Sequence, residues 1–340
     1  MSVANVILFG AGRMGAIRAR LMYANPLYNV LAIVDPNPSF AQKLADTFHI
    51  PLVTSTLAEA QDKLCSTGVE EVASGVVVSS PTGAHKQVFE ESADMGLHIF
   101  TEKPVDESAE KIKALFEYTD SKGVQLCCGF QRRFDPSYVN VKKAIDAGTV
   151  GDVSLANVFF HDSPTPALEF LLTGGDIFMD LAPHDVDYVL WCLGGDTEVE
   201  SVYATGTSSQ PELKAAGVMD QATMLIKTRA GALITISMSR SSSYGYDQRT
   251  EFFGTKGCAR VNNLTEDGME IGTSAGLTSS RAMESFPQRF NEGFRFELDE
   301  FHGVLTEDKK WPIGMETCMA VQRIADAAGV SAREGRVVML

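Results

Sequence analysis

Three groups of residues have the types and spacing for chemistry. Gly10-Ala11-Gly12-Arg13-Met14-Gly15 fits G-x-G-x-x-G, set between the apolar run Val6-Ile7-Leu8-Phe9 and a helical pattern from Met14 to Tyr23. In that setting the first glycine permits a tight turn and the second lets backbone approach a pyrophosphate. The third lets helix and strand pack closely, with the helix N-terminus facing the anion. Asp35 closes the next apolar run, about 20 residues on, where an acid binds a ribose 2′-hydroxyl. The bland alternative is a glycine turn that binds nothing, and the acid and both strands argue against it. A carboxylate at Asp35 repels a 2′-phosphate, and Pro36 and Asn37 supply no cation. NAD is therefore favoured over NADP, although Arg13 could still reach a phosphate.

The second group is Glu102-Lys103-Pro104, after the run His98-Ile99-Phe100. In a doubly wound sheet that loop lies at the carboxyl edge, where ligands bind. Lys103 could polarise a substrate oxygen there; on the tripeptide alone, a solvated lysine beside a glutamate is the simpler reading. Ser79-Ser80-Pro81-Thr82 ends the preceding strand and could lie along a cofactor. His85, one turn into the next helix, reads by itself as structural.

The third group lies within Gly174-Gly175-Asp176 to Asp187. Asp180 and His184 are four residues apart and share a face if both are helical. The carboxylate can then orient or support the imidazole, a suitable base for an alcohol proton. The competing reading is a helix N-terminal patch with a capping acid and a buried histidine. Asp185 and Asp187 read as solvent-facing or structural. Two ligands at helical spacing also suit a metal, but no second His or Cys cluster supplies a third and fourth, so no metal is expected.

The elements that must hold these groups change character along the chain. Early on, short apolar runs (Val6–Phe9, Val30–Val34, Val72–Val78, His98–Phe100, Val124–Leu126) alternate with helical stretches such as Phe40–Phe48. That pattern predicts parallel pairing with helices on both faces. After about Phe130 longer alternating strands appear: Val153–Phe160, Glu200–Gly206, Ala222–Arg229, Ala232–Ser239 and Thr250–Phe253. These predict a mostly antiparallel, half-exposed sheet. Helices are expected over Asp176–Leu193 and Met315–Ala328. The fold class is thus α/β: a Rossmann doubly wound domain over residues 1–125, then an α+β domain over 126–340 with a large open-faced sheet. The active site is expected in the cleft between them, and the C-terminal helix could pack back on the first domain.

Composition narrows the partners. The 340 residues carry a formal net charge of -15, which repels nucleic-acid phosphates and anionic membranes but leaves a neutral polyol unaffected. None of the six cysteines forms a C-x-x-C pair, and buried thiols in a reduced, cytoplasmic protein fit best. No signal peptide and no bilayer-spanning run is read from the sequence.

Together these residues resemble the glucose–fructose oxidoreductase/inositol dehydrogenase (Gfo/Idh/MocA) family. The resemblance rests on Gly10–Gly15, Glu102-Lys103-Pro104, Gly129-Phe130-Gln131-Arg132-Arg133-Phe134-Asp135-Pro136, and Asp180-x-x-x-His184-Asp185. Two segments, His161-Asp162-Ser163-Pro164-Thr165-Pro166 and Tyr244-Gly245-Tyr246-Asp247-Gln248-Arg249, are similar to those of the inositol 2-dehydrogenases. The resemblance implies NAD-dependent oxidation of a cyclic polyol, myo-inositol to its 2-ketone first. Scyllo-inositol or another sugar is the alternative, and a non-catalytic NAD-binding sensor the alternative of another class. It implies Lys103, Asp180 and His184 as the catalytic set. Arg133, Asp162, Tyr244 and Lys103 would contact substrate. Gly10, Gly12, Arg13, Met14, Gly15, Asp35, Ser80, Thr82, His85 and Glu102 would bind cofactor. A homo-oligomer, dimer or tetramer, is implied through the open sheet. The segment Ser239-Arg240-Ser241-Ser242-Ser243 departs from the subgroup in having fewer arginines.

Overall fold

The computed structural model describes residues 2–66, 73–174 and 176–340. The chain divides into two compact units, Met1–Gln131 with Phe294–Ala320, and Arg132–Gly293 with Val321–Leu340.

The first unit begins as a strand–helix alternation. It runs β1 (Ala4–Phe9), α1 (Arg13–Tyr23), β2 (Tyr28–Val34), α2 (Pro38–Phe48), β3 (Leu52–Thr54) and α3 (Leu57–Ser66). Then come β4 (Gly75–Val78), α4 (His85–Asp94), β5 (His98–Glu102), α5 (Ala109–Ser121) and β6 (Leu126–Gly129). All six strands are parallel, in the order β3-β2-β1-β4-β5-β6. Every residue of β4 is buried, as expected for a strand covered on both faces. Helix starts are chemically marked: Asn37 caps α2 with Pro38 in its first turn, and Ser108 caps α5 through the Lys111 amide. The strand order reverses between β1 and β4, and Phe9 pairs with both Val34 and Val78. The chain therefore delivers Gly10, Asp35 and Ser79 to one point at the carboxyl edge.

The second unit carries α6 (Pro136–Asp146), β7 (Val153–His161), α7 (Leu168–Thr173), α8 (Ile177–Asp180), α9 (Ala182–Leu193), β8 (Val199–Thr207) and α10 (Pro211–Ala215). Strands β9 (Gln221–Thr228), β10 (Leu233–Ser239), β11 (Asp247–Gly254) and β12 (Gly257–Val261) follow, then the hairpin β13 (Glu270–Thr273) and β14 (Gly276–Ser279), and α11 (Phe286–Arg289). The chain ends with α12 (Asn291–Glu307), α13 (Met315–Glu334) and β15 (Val338–Met339). The large sheet has the order β12-β11-β7-β10-β9-β8-β15, antiparallel except for β7 beside β10. Strand β9 alternates strictly between exposed and buried residues. Its inward set, Ala222, Met224 and Ile226, joins Val158, Phe160, Ile234 and Ile236 in the core under α9.

Several boundaries differ from those expected. The expected break after residue 125 falls before β6, which pairs with β5, so the first sheet continues beyond it. The return to the first unit is made by residues 294–320 rather than by the last helix as a whole. Tyr28 Oη donates to the Leu298 carbonyl at 2.5 Å, Trp311 Nε1 donates to that of Cys128 at 3.0 Å, and Phe301 and Trp311 flank Phe100. Glu102 ends β5 instead of opening the loop, and β6 starts at Leu126 rather than Val124. Val72 of the expected third strand lies outside the described residues, as does Gly175. The expected helix Asp176–Leu193 is interrupted at Leu181. Pro183 has no amide to donate back to Met179, so the i to i−4 ladder cannot run through. Four of the six cysteines are buried, whereas Cys65 and Cys258 are exposed. No helix among the described residues is long and apolar enough to cross a membrane.

Residues 294–320 bury Phe294, Leu298, Phe301, Val304, Trp311 and Ile313. At about 1.5–3 kcal/mol for each large apolar side chain, this rivals the whole stability of a typical domain. A fragment of residues 1–131 is therefore expected to be protease-sensitive and to lack a cooperative melt, whereas the same fragment linked to residues 294–320 recovers one. A sharp melt of the short fragment would contradict this division of the core.

Candidate active site

The glycine turn is built for close approach. Gly10 has φ +98°, and a Cβ there would sit 2.8 Å from the Ser79 backbone. A Cβ on Gly15 would lie 2.0 Å from the Gly10 carbonyl oxygen, so this contact of helix and turn admits only hydrogen. A Cβ on Gly12 meets nothing within 4 Å; the middle glycine opens on free space. Asp35 fixes the turn from below: Oδ2 accepts from the Ala11 amide at 2.7 Å and Oδ1 from the Asn37 amide at 2.7 Å. Arg13, the first residue of α1, is exposed, and Met14 is half-buried. Ser79 and Ser80 follow β4, with buried hydroxyls that make no hydrogen bond within the protein. Thr82 is half-buried in the short 3-10 turn that follows. Open space over Gly12, an acid beside the turn and unsatisfied hydroxyls next to it fit a dinucleotide.

Beneath that turn Arg18 is fully buried between two carboxylates. Its Nε meets Glu102 Oε1 at 2.7 Å and its Nη2 meets Glu297 Oε2 at 2.6 Å, with Phe100 and Phe294 against the guanidinium. Helix α1, the end of β5 and α12 are thereby joined at one cation. Lys103 follows directly in the chain and is half-buried.

In the second unit the parallel pair β7 and β10 ends in register, Ser239 opposite His161. The next residues, Asp162 and Arg240, therefore emerge at one edge. Arg240 Nη1 donates to Asp180 Oδ2 at 2.7 Å and lies 3.7 Å from Asp162 Oδ2. The arginine side chain is 3% exposed, against 31% for Asp180 and 18% for Asp162. His184 is half-buried in the first turn of α9, with its ring 6.2 Å from that of Phe160.

Residues 4–130 match the oxidoreductase family with an NAD-binding Rossmann fold, and residues 138–260 match the GFO/IDH/MocA C-terminal domain. The chain belongs to the GFO/IDH/MocA family. The inositol 2-dehydrogenase of Rhizobium meliloti is 31% identical over 98% of both chains. The scyllo-inositol 2-dehydrogenase (NAD(+)) of Bacillus subtilis is 31% identical over 98% of this chain and 95% of its own. The crystal structure of a myo-inositol dehydrogenase from Corynebacterium glutamicum superposes with a TM-score of 0.88, at 26% identity over 99% of both chains. This family member is an NAD-dependent dehydrogenase.

In this dehydrogenase some expected site residues find other partners. Arg133, expected at the substrate, forks onto Asp187, with Nε at 2.9 Å and Nη2 at 2.6 Å from the carboxylate. Its side chain is 8% exposed, so the guanidinium is committed to that buried acid. Asp185 and Asp187, read as solvent-facing or structural, are both fully buried. His85, expected at the cofactor, is buried with Nδ1 3.1 Å from the Val105 carbonyl and Nε2 3.1 Å from that of Ser80. It lies between the loops after β4 and β5, and burial lowers its pKa. Glu102 is likewise engaged by Arg18. Tyr244 is half exposed, and its hydroxyl donates to Asp247 Oδ2 at 2.5 Å. Asp180 has its carboxylate on Arg240, a partner that the i, i+4 spacing to His184 did not suggest.

Reading the sequence also missed several buried charges. Arg132 pairs with Asp185 at 2.9 Å and bonds Gln248. Burial pushes the Asp185 carboxyl up to about 6, with Arg132 pulling the other way. Asp247 lies within β11, where burial opposes its charge but hydrogen bonds from Arg249, Tyr244 and Asn263 hold its pKa below the usual value. The available signal for Arg18 was its place among Ile17, Ala19 and Leu21, a charge on an apolar stretch. Among the described residues no cluster of three or more His, Cys, Asp or Glu could hold a metal.

Gly15→Ala is expected to disrupt folding of the first unit. Gly12→Ala should melt near the wild-type temperature but bind NAD about tenfold more weakly, roughly 1.4 kcal/mol by calorimetry. Unchanged NAD affinity in Gly12→Ala would contradict the cradle.

Burial pushes the Glu297 carboxyl up to about 7; Arg18 opposes the rise and Glu102 adds to it. A carboxyl raised on folding binds its proton more tightly in the native state. Its contribution is therefore most favourable at low pH and is lost as pH rises from the ordinary 4.5 through about 7. Glu297→Gln should flatten the fall in unfolding free energy across this window. Parallel wild-type and variant curves in urea titrations would contradict the assignment.

Proposed function

We propose that this dehydrogenase oxidises one secondary hydroxyl of a cyclic polyol to a ketone, with myo-inositol the leading substrate. The observation that carries the reading is the grouping of Asp162 and Asp180, both partly exposed, around the buried guanidinium of Arg240. Two ionised acceptors suit a neutral ligand rich in hydroxyl donors, and they disfavour an anionic one. The names of the relatives support the same substrate class.

NAD supplies the hydride acceptor when bound. The chain's own residues handle the proton and the oxygen. A ring nitrogen of His184 takes the hydroxyl proton as the carbon–hydrogen bond breaks and the carbonyl forms. Asp180 stabilises the resulting imidazolium. The Lys103 ammonium bonds the reacting oxygen and favours its developing negative charge. Asp162 accepts from a second substrate hydroxyl, and Tyr244 from a third. Asp35 keeps the preference for NAD over NADP by repelling a 2′-phosphate.

Scyllo-inositol is a second reading, favoured by the relative from Bacillus subtilis. We also propose that the enzyme is a homo-oligomer closed over the outer face of the large sheet. Tyr203, Leu225 and Leu233 are 39–40% exposed there. Strand registers place Tyr203 opposite Leu225, and Leu233 opposite Leu155.

The test is NADH formation at 340 nm with NAD and, in parallel, myo-inositol, scyllo-inositol, glucose and no substrate. Turnover of myo-inositol is expected, falling by about 10²–10⁴ in His184→Ala. Turnover of another polyol alone would change the substrate. NAD binding without any turnover would replace the proposal with a sensor role, and a near-normal rate in His184→Ala would remove that residue from the role of base.

A further inference from the structure

Arg240 is held with unusual completeness for a residue in a turn. Its amide donates to the Asp220 carbonyl at 2.8 Å, fixing its backbone where β9 begins. Alongside, the Asp162 amide donates to the Ser239 carbonyl at 2.8 Å, which extends the parallel pairing of β7 and β10 by one residue. Thr165 Oγ1 donates to Ser241 Oγ at 3.0 Å and ties the two following loops together. The ring of Phe170 covers the guanidinium at 5.8 Å. A cation this deeply buried is costly unless it is paired, and its neighbours on the exposed side are the two carboxylates. Its Nη2 is buried and makes no hydrogen bond within the protein, leaving one donor beside the acids.

We infer that Arg240 is a positioning residue for the proposed oxidation, a buried cation that sets the separation and direction of the Asp162 and Asp180 carboxylates. The inference rests on the function proposed above and adds a residue to it. Without the guanidinium, two carboxylates drawn toward one point repel each other and turn outward. Asp162 then loses its aim at a substrate hydroxyl, and Asp180 its aim toward the proton acceptor. Misplacement on the scale of an ångström costs about 10²-fold in rate. Because the arginine acts through both acids, its loss changes substrate binding and turnover together.

The experiment compares wild type, Arg240→Gln and Arg240→Lys, using whichever of myo-inositol and scyllo-inositol the wild type oxidises. NAD affinity is measured by calorimetry and stability by thermal melt. Arg240→Gln is expected to bind NAD within about twofold of wild type. Its kcat should fall by about 10–100-fold and its KM for the polyol should rise. Arg240→Lys restores a cation without the fork and should recover part of both. In an Asp180→Asn background the further loss of kcat from Arg240→Gln should shrink, because the two changes remove one interaction.

Normal kcat and KM in Arg240→Gln overturn the inference and leave the proposed function standing. So does a lysine variant no better than glutamine. Loss of NAD binding and thermal stability together in both variants marks a purely structural residue and overturns it as well. Wild-type silence on both polyols overturns the proposed function, and this inference with it.

Discussion

The first unit is organised around one buried cation. Arg18 has no exposed side-chain surface, and it joins three segments far apart in the chain through Glu102 and Glu297. Burying a guanidinium without partners would cost several kcal/mol. The helix that follows the glycine turn, the strand end that precedes Lys103 and residues 294–320 must therefore come together, or the charge is stranded. Burial is the main reason the Glu297 carboxyl holds its proton more tightly than usual; Arg18 opposes the rise and Glu102 adds to it. The same arrangement gives Lys103 a rigid base, since the residue before it is ion-paired on a central strand.

The second unit repeats the device with a different purpose. Arg132 with Asp185, Arg133 with Asp187 and Arg289 with Asp135 are buried ion pairs. Removing one member of such a pair is strongly unfavourable even where the pair as a whole contributes little. Arg240 differs because its two acids are partly exposed. Those pairs are buried, whereas the Arg240 group opens to solvent through Asp162 and Asp180. A parallel pair inside an otherwise antiparallel sheet makes this possible. It ends two strands at the same edge, so that residues 162 and 240 become neighbours.

Much of this was legible in the sequence. The glycine turn, Asp35 and the switch from parallel to alternating strands all follow from local patterns that tertiary context did not override. The residues proposed as the catalytic group could be picked out by type, but the partner of Asp180 could not. Helical spacing links Asp180 to His184, yet Pro183 breaks the helix and Arg240, 60 residues away, takes the carboxylate. Arg133 was expected at the substrate through the family resemblance, and only the packed structure reveals Asp187 against its guanidinium. His85 sat at the correct strand end but serves two backbone carbonyls. Such assignments depend on long-range pairs, and no periodicity encodes them. For a related reason the first unit is not one continuous stretch, since residues 294–320 from near the end of the chain complete its core.

The central claim is that a hydride leaves a ring carbon of a polyol for NAD while this chain's residues manage the proton. The most direct measurement uses myo-inositol carrying deuterium on the carbon of the 2-hydroxyl, with the products read by nuclear magnetic resonance. The account predicts one deuterium on the nicotinamide ring of the reduced cofactor, a 2-ketone as the other product, and slower turnover of the labelled substrate. Reduced cofactor without deuterium, or labelled substrate recovered unchanged beside bound NAD, would contradict it.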